Sequence, residues 1–460
     1  MRKTSVLLLT AIIFSFCGSL KTFGWTEHPM LVGPSLAGLP VWNNRKAIEV
    51  RSLESFLVKN ERALEEFLKS QEEWSVKNLP NYSPRPEALT FKATGAGEDI
   101  KHRFLTAIRI NPHAKLPLYL HLLSHQADFG LEKALPQDIT TLKDLGIMSN
   151  SNYVWLNEGS TIPAFDVMIT ATDEPDYGFD LGLFDDNDTE YGATYGFGNQ
   201  PFGNPKLEYS SQAPFHMGFY HEADIVYFFG PILKRTYVDY RINLYKSLSL
   251  FAFKQGEDYW GWRFMGWAMH YVGDLSMPYH SKPLPAVSAW KMIWINIKAM
   301  LGWKQSRTNA IQLVSNKHTV FEEFQWQELR KAHDNQDMNH PFMIALTNPY
   351  PAIAFTDRFI YDVLSKEAAA KSIDCNKALL EFIPYRLVQD PTIEANETSE
   401  IKNIVEVVRQ ENGNEAVTGL NLVIAERMRA FSMAMRSFLD EMLLKMPAEA
   451  EAVTEDKSST

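Results

Sequence analysis

From about residue 216 to residue 447 the sequence keeps a helical period almost without interruption, and strand-like alternation is scarce elsewhere. That pattern restricts the chain to an all-α fold. Prolines punctuate it at Pro231, Pro278 and Pro341 and in the run "NPYP" of residues 348–351. The segment "EAVTGLNLVIAERMRAFSMAMRSFLDEMLLK" predicts a long terminal helix that is apolar on most sides and so packed against others. Upstream, residues 45–77 space apolar side chains at three and four with charges between, as an amphipathic helix or helix pair does. Residues 98–110 and 116–133 also look helical, and the tail "PAEAEAVTEDKSST" predicts disorder.

The first residues, "MRKTSVLLLTAIIFSFCGSLKTFG", place Arg2 and Lys3 before an apolar run too short to span a bilayer comfortably, followed by a small residue, Gly24. This is the pattern of a secretory signal peptide cleaved near Gly24, so a secreted or periplasmic location is expected, with no transmembrane anchor after processing. Cleavage removes Arg2, Lys3 and Lys21 and no acid, which takes the formal charge from -11 to -14. An acidic chain of this kind weighs against a stable nucleic-acid partner, whose phosphates call for clustered Lys and Arg. Cleavage also removes Cys17 and leaves Cys375 alone, so no disulfide forms within the mature chain. No composition break marks a linker, and residues 25–447 are expected to form one domain.

Between Asp173 and Gln212 the chain is crowded with Gly, Asp, Asn and aromatics and has no sustained helical period. It lacks the ordered acidic alternation of a calcium loop and reads as a solvated or lid-like segment. His102, His113, His121 and His125 read as packing or surface histidines.

The stretch "WAMHYVGDLSMPYHS" (267–281) sets polar side chains in an apolar run. His270 and Asp274 are four apart, which on a helix stacks them on one face and lets them meet a single ion. Pro278 turns the chain, and His280 follows. His318 and Glu322, in "NKHTVFEEF", repeat the spacing. Mixed imidazole and carboxylate donors fit Zn(II), although on spacing alone a structural role is the commoner one for each pair.

At these residues the chain resembles the bacterial zinc-dependent phospholipase C enzymes, which are related to the single-strand-specific zinc nucleases. "AMHYVGDLSMPYH" looks like that family's helix pattern, "HTVFEEF" like its next His and Glu pair, and "EPDYG" and "APFHMGFYHE" supply an Asp and a His in family order. Trp25 directly follows the expected cleavage site, where the family begins its mature chain with Trp, and His28 is close by.

The resemblance implies a phospholipase C / P1 nuclease-like helical bundle holding about three zinc ions. Asp176, His216, His270 and Asp274 would hold one. The Trp25 amine and carbonyl, His28 and the far oxygen of Asp274 would hold the second, and His280, His318 and Glu322 the third. Asp173 and His221 remain alternatives near Asp176 and His216. Asp176 is the candidate general base, and Tyr177 the candidate contact for a choline headgroup through its ring face.

The expected activity is hydrolysis of the glycerol-side phosphodiester of a phospholipid at a membrane surface, most simply phosphatidylcholine. A secreted single-strand nuclease or 3'-nucleotidase of the same fold is the alternative, and a non-catalytic zinc-binding surface protein a third. Glu322, the "MPYH" turn and the lack of cysteine pairs favour the phospholipase. The long interval between His28 and Asp176 departs from the family's compact pattern and implies an inserted helical region at about 45–165. A C-terminal membrane-binding β-sandwich is not evident.

Overall fold

The computed structural model of this chain describes residues 25–447 except Phe129 and Ala352. The expected signal peptide (1–24, with Cys17) and the expected tail (448–460) lie outside the described residues.

The first third of the described chain holds α1 (His28–Ala37), α2 (Leu53–Asn78), α3 (Ile100–Ala107), α4 (Pro136–Ile139) and α5 (Ala164–Ala171). The middle holds α6 (Glu208–His216), α7 (Asp224–Phe229), α8 (Val238–Lys254), α9 (Asp258–Asp274) and α10 (Pro278–Ser281). The remainder holds α11 (Ala289–Met300), α12 (Gln305–Asp334), α13 (Pro341–Thr347), α14 (Ser365–Phe382), α15 (Tyr385–Val388) and α16 (Ile404–Lys445). The all-α expectation therefore stands, with Pro278 and Pro341 each opening a helix. No helix among the described residues is long and apolar enough to cross a membrane.

The expected insert, about 45–165, is less helical than its periodicity suggests. Its helix at 45–77 is present as α2, capped by the Ser52 hydroxyl accepting from the Ser55 N–H at 3.2 Å, and 98–110 contains α3. Residues 116–133 are not a helix. They contain β2 (Tyr119–Leu122), which with β3 (Lys133–Ala134) flanks β4 (Asn152–Trp155) in an antiparallel sheet, with Leu120 opposite Val154. β1 (Ile48–Glu49) pairs with β5 (Thr161–Ile162). Every residue of β2 is buried, and a short, fully buried apolar run cannot be assigned to helix or strand by periodicity.

The centre of the fold is α9, whose residues from Tyr259 to Asp274 are all buried. It packs against α5 and α8 on some sides and against α16 on another. Two glycines permit this. A Cβ on Gly266 would lie 2.4 Å from the Met168 carbonyl oxygen of α5, and one on Gly273 would lie 2.5 Å from the Phe431 ring of α16. Both neighbours approach α9 within one turn of His270. The terminal helix packs as expected, with a break at Gly413, where φ is 83°. Cys375 is buried in α14, and burial pushes its thiol up to about 12, so it is chemically quiet.

Because the neighbour at Gly266 is backbone, it cannot move aside as a flexible side chain would. Gly266→Ala is therefore expected to lower unfolding free energy by about 1–3 kcal/mol, measured by urea denaturation; a change within error of zero would show that α5 and α9 are not in this close contact.

Candidate metal centre

Five segments deliver polar side chains to one end of α9. Its last turn carries His270 and Asp274, four apart on one face. After the turn, Pro278 opens α10, which carries His280. α6 ends at His216, where the chain becomes extended. A single-turn helix at Glu174–Tyr177 carries Asp176, with Asp173 just before it. α12 carries His318 and Glu322. α1 begins at His28, after Glu27 adopts a left-handed backbone (φ 57°) that bends the chain back toward α9. Trp25 is fixed there too: its indole N–H donates to Ser276 Oγ at 2.8 Å, and its ring lies 6.2 Å from Phe321 and 6.1 Å from Phe431.

The nine expected ligand residues are all buried. Asp274 is the hub: Oδ1 lies 3.3 Å from His28 Nε2, and Oδ2 lies 2.9 Å from His216 Nδ1, 3.4 Å from His270 Nε2 and 3.9 Å from His280 Nδ1. Asp176 Oδ1 lies 3.5 Å from His270 Nε2 and 3.7 Å from His216 Nδ1. His318 Nε2 and Glu322 Oε1 are 2.7 Å apart. Three groupings suited to a metal ion result: His28, His270 and Asp274; Asp176, His216 and His270; and His280, His318 and Glu322. A fourth joins His28 and Asp176 to Asp173.

The donor atoms behave as ligands would. His28 Nε2, Asp274 Oδ1, His318 Nε2 and Glu322 Oε1 are buried and make no hydrogen bond of proper geometry, while the inward nitrogen of His216, Nδ1, bonds Asp274 Oδ2 at 2.9 Å. Buried polar atoms ordinarily find partners, so their gathering in one place is what a bound cation would resolve. Several rings are also held from behind. His270 Nδ1 bonds the Thr172 carbonyl at 2.7 Å and His280 Nδ1 the His216 carbonyl at 2.8 Å, while His28 Nδ1 faces Asp173 at 3.6 Å and His216 Nε2 faces Asp180 at 3.5 Å. One nitrogen anchored and the other aimed inward is the usual setting of a metal-binding imidazole. The residues present thus fit a divalent metal with mixed N and O donors.

Charges are spread unevenly over the cluster. Burial pulls the His28 imidazole down, but Asp173 and Asp274 outweigh it and lift the ring to about 9. His216 is lifted to about 10, Asp180 and Asp274 again outweighing burial. Burial and the neighbouring His28 drive His270 well below the usual histidine range, and burial and His280 do the same to His318. Burial lifts Asp176 to about 7 and pushes Glu322 well above the carboxylate range. Asp274, despite burial, is held well below that range, most strongly by His270.

Two buried ion pairs fix the loop that carries Asp176. Arg263 of α9 pairs with Glu174 at 2.7 Å, and Trp267 donates to the same carboxylate. Arg241 of α8 pairs with Asp180, which also accepts from the Tyr271 hydroxyl at 2.6 Å. Asp173, the expected alternative near Asp176, does join the cluster, whereas Asp180 and His121 are residues whose part the sequence did not disclose. His121 is buried in β2 with Nδ1 3.6 Å from Asp173 Oδ2, and burial pushes it down to about 4, whereas His102, His113 and His125 are exposed as expected. His221 stands apart, bonded to Ser365 at 2.9 Å. Tyr177 lines a narrow crevice of about 10 Å³ with Asp176, Tyr153 and Tyr209, and its hydroxyl contacts Tyr153 at 3.0 Å and Asp173 at 3.2 Å.

Comparisons of the chain with protein-family models, with curated proteins and with solved structures find no match.

Proposed function

We propose that this protein is a zinc-dependent phospholipase C that hydrolyses the glycerol-side phosphodiester of phosphatidylcholine. The observation that carries the reading is the convergence of buried imidazole and carboxylate groups around Asp274, some of their atoms without a hydrogen-bond partner and several rings anchored from behind. In this reading Asp176, His216, His270 and Asp274 hold one zinc ion. His28, the second oxygen of Asp274 and the Trp25 amine and carbonyl hold another, and His280, His318 and Glu322 the third. Zinc held there supplies positive charge to a phosphodiester and lowers the pKa of water toward neutrality.

The chain's own groups do the rest. Asp176, buried 3.5 Å from His270 Nε2 and 3.7 Å from His216 Nδ1, is the carboxylate placed to accept a proton from water attacking phosphorus. Asp173 and Asp180 orient His28 and His216. Tyr177, buried beside Asp176 with its hydroxyl engaged, is the group in this reading that would attract a quaternary ammonium through its π-cloud. The apolar walls around His318, among them Val314 and Tyr279, suit the glycerol side of a lipid better than a polynucleotide. The expected leader places the enzyme outside the cytoplasm, in the periplasm or medium.

Assayed side by side with phosphatidylcholine and single-stranded DNA, zinc-loaded protein is expected to release phosphocholine. Cleavage of DNA alone would make it a nuclease, and no hydrolysis of either would leave a zinc-binding protein. His270→Ala and His318→Ala are expected to lower activity by more than about 100-fold, beyond the cost of losing an outer partner.

The Trp25 role requires a free amine. Mass spectrometry of the processed protein is expected to find Trp25 at its N-terminus, and a retained Gly24 would remove that ligand.

A further inference from the structure

Between Asp274 and Glu322 the sequence contains Lys282, Lys291, Lys298, Lys304, Arg307 and Lys317 and not one Asp or Glu, in a chain whose formal charge is -11. The same stretch folds into α11 and the start of α12. Lys282 is paired with Glu222 and Lys317 bonds Asn376. Lys291 and Lys304 are exposed, and Lys298 is half-buried with its ammonium 5.5 Å from the centre of the Trp294 ring.

α11 is apolar on two sides. Outward, Trp290, Trp294 and Leu301 recur at the spacing of one helical stripe; all three are exposed, Trp290 by 78%, and Met300 and Trp303 are exposed beside them. α7, which packs on α11, adds Phe228, exposed by 76%, and Ile225. Inward, Met292 and Ile295 of α11 face Ile311 and Val314 of α12 across an apolar cavity of about 130 Å³ whose wall includes Tyr279 and the candidate ligand His318. Met292 belongs to a small apolar cluster with Met217, Phe219 and Val226 that is separate from the main core.

We propose that α7, α11 and the turn to Trp303 dock the protein on an anionic phospholipid surface, with the cavity behind α11 receiving lipid chains next to the metal centre. Exposed apolar patches of this extent mark interaction sites. Trp side chains with flanking Lys, on a helix lying along the surface, are the signature of an interfacial anchor. The charge selects the partner: an acid-free basic stretch in an acidic protein is complementary to anionic headgroups. The cavity on the inward side of the same helix, which reaches His318, favours lipid over a protein partner. The role of the cavity rests on the phospholipase reading, whereas docking does not.

Full-length processed, zinc-loaded protein is to be sedimented with vesicles of phosphatidylcholine, with and without phosphatidylserine. Binding is expected, stronger with phosphatidylserine, and accompanied by a blue shift of Trp fluorescence. The Trp290→Ala, Trp294→Ala, Trp303→Ala triple variant is expected to bind at least tenfold more weakly. Replacing Lys291, Lys298 and Lys304 by Ala is expected to remove the preference for phosphatidylserine, about fivefold per residue. Both variants should keep the parent's thermal unfolding temperature and its hydrolysis of a short-chain, monomeric phosphatidylcholine.

Equal vesicle binding by parent and variants overturns the proposal. So does a parent dimer that the Trp variant dissociates in sedimentation velocity, which would make this face a contact between copies of the chain. Vesicle binding that the variants lose, with no hydrolysis of any substrate by the parent, supports the docking surface and overturns the phospholipase reading alone.

Discussion

Asp274 is a fully buried carboxylate with His28, His216, His270 and His280 all within 3.9 Å of its oxygens, and the fold is organised around that contact. A charge in an apolar interior is tolerated when it is paired and its remaining lone pairs are satisfied. Here the pairing comes from four separate elements: α1, the end of α6, the last turn of α9 and α10. Each must therefore arrive at its place before the carboxylate is compensated. The two glycines on α9 are part of the same requirement, since they bring α5 and α16 close enough to close the site on both sides.

The ion pairs around the cluster serve positioning more than stability. A buried salt bridge offsets its own desolvation and adds little beyond that, but breaking it is costly. Arg263 with Glu174 and Arg241 with Asp180 thus hold the segment from Asp173 to Asp180 in one register against α9 and α8. That segment lies within the Gly- and Asp-rich loop whose sequence has no helical period. Its order comes from tertiary contacts, which is why it can carry Asp176 with precision.

Much of this was legible in the sequence, for identifiable reasons. The pairs His270 with Asp274 and His318 with Glu322 are visible because a helix fixes the direction of residues four apart, and both pairs do lie on helices and point into the cluster. His216, Asp176 and His28 lie at the ends of short elements, where spacing says nothing about direction, and they entered through resemblance to a family rather than through periodicity. Asp173 entered the same way, as an alternative to Asp176, whereas Asp180 and His121 depend on contacts between segments far apart in the chain. The all-α class survived, whereas the helix at 116–133 did not, because burial on both faces erases the difference between the two periods.

The central claim is that these buried groups exist to hold metal. Anomalous scattering at the zinc absorption edge from crystals of the processed protein tests it most directly. The account predicts three peaks: one among Asp176, His216, His270 and Asp274, one beside His28 and Trp25, and one among His280, His318 and Glu322. Crystals grown with zinc present that show no peak at these residues would contradict it.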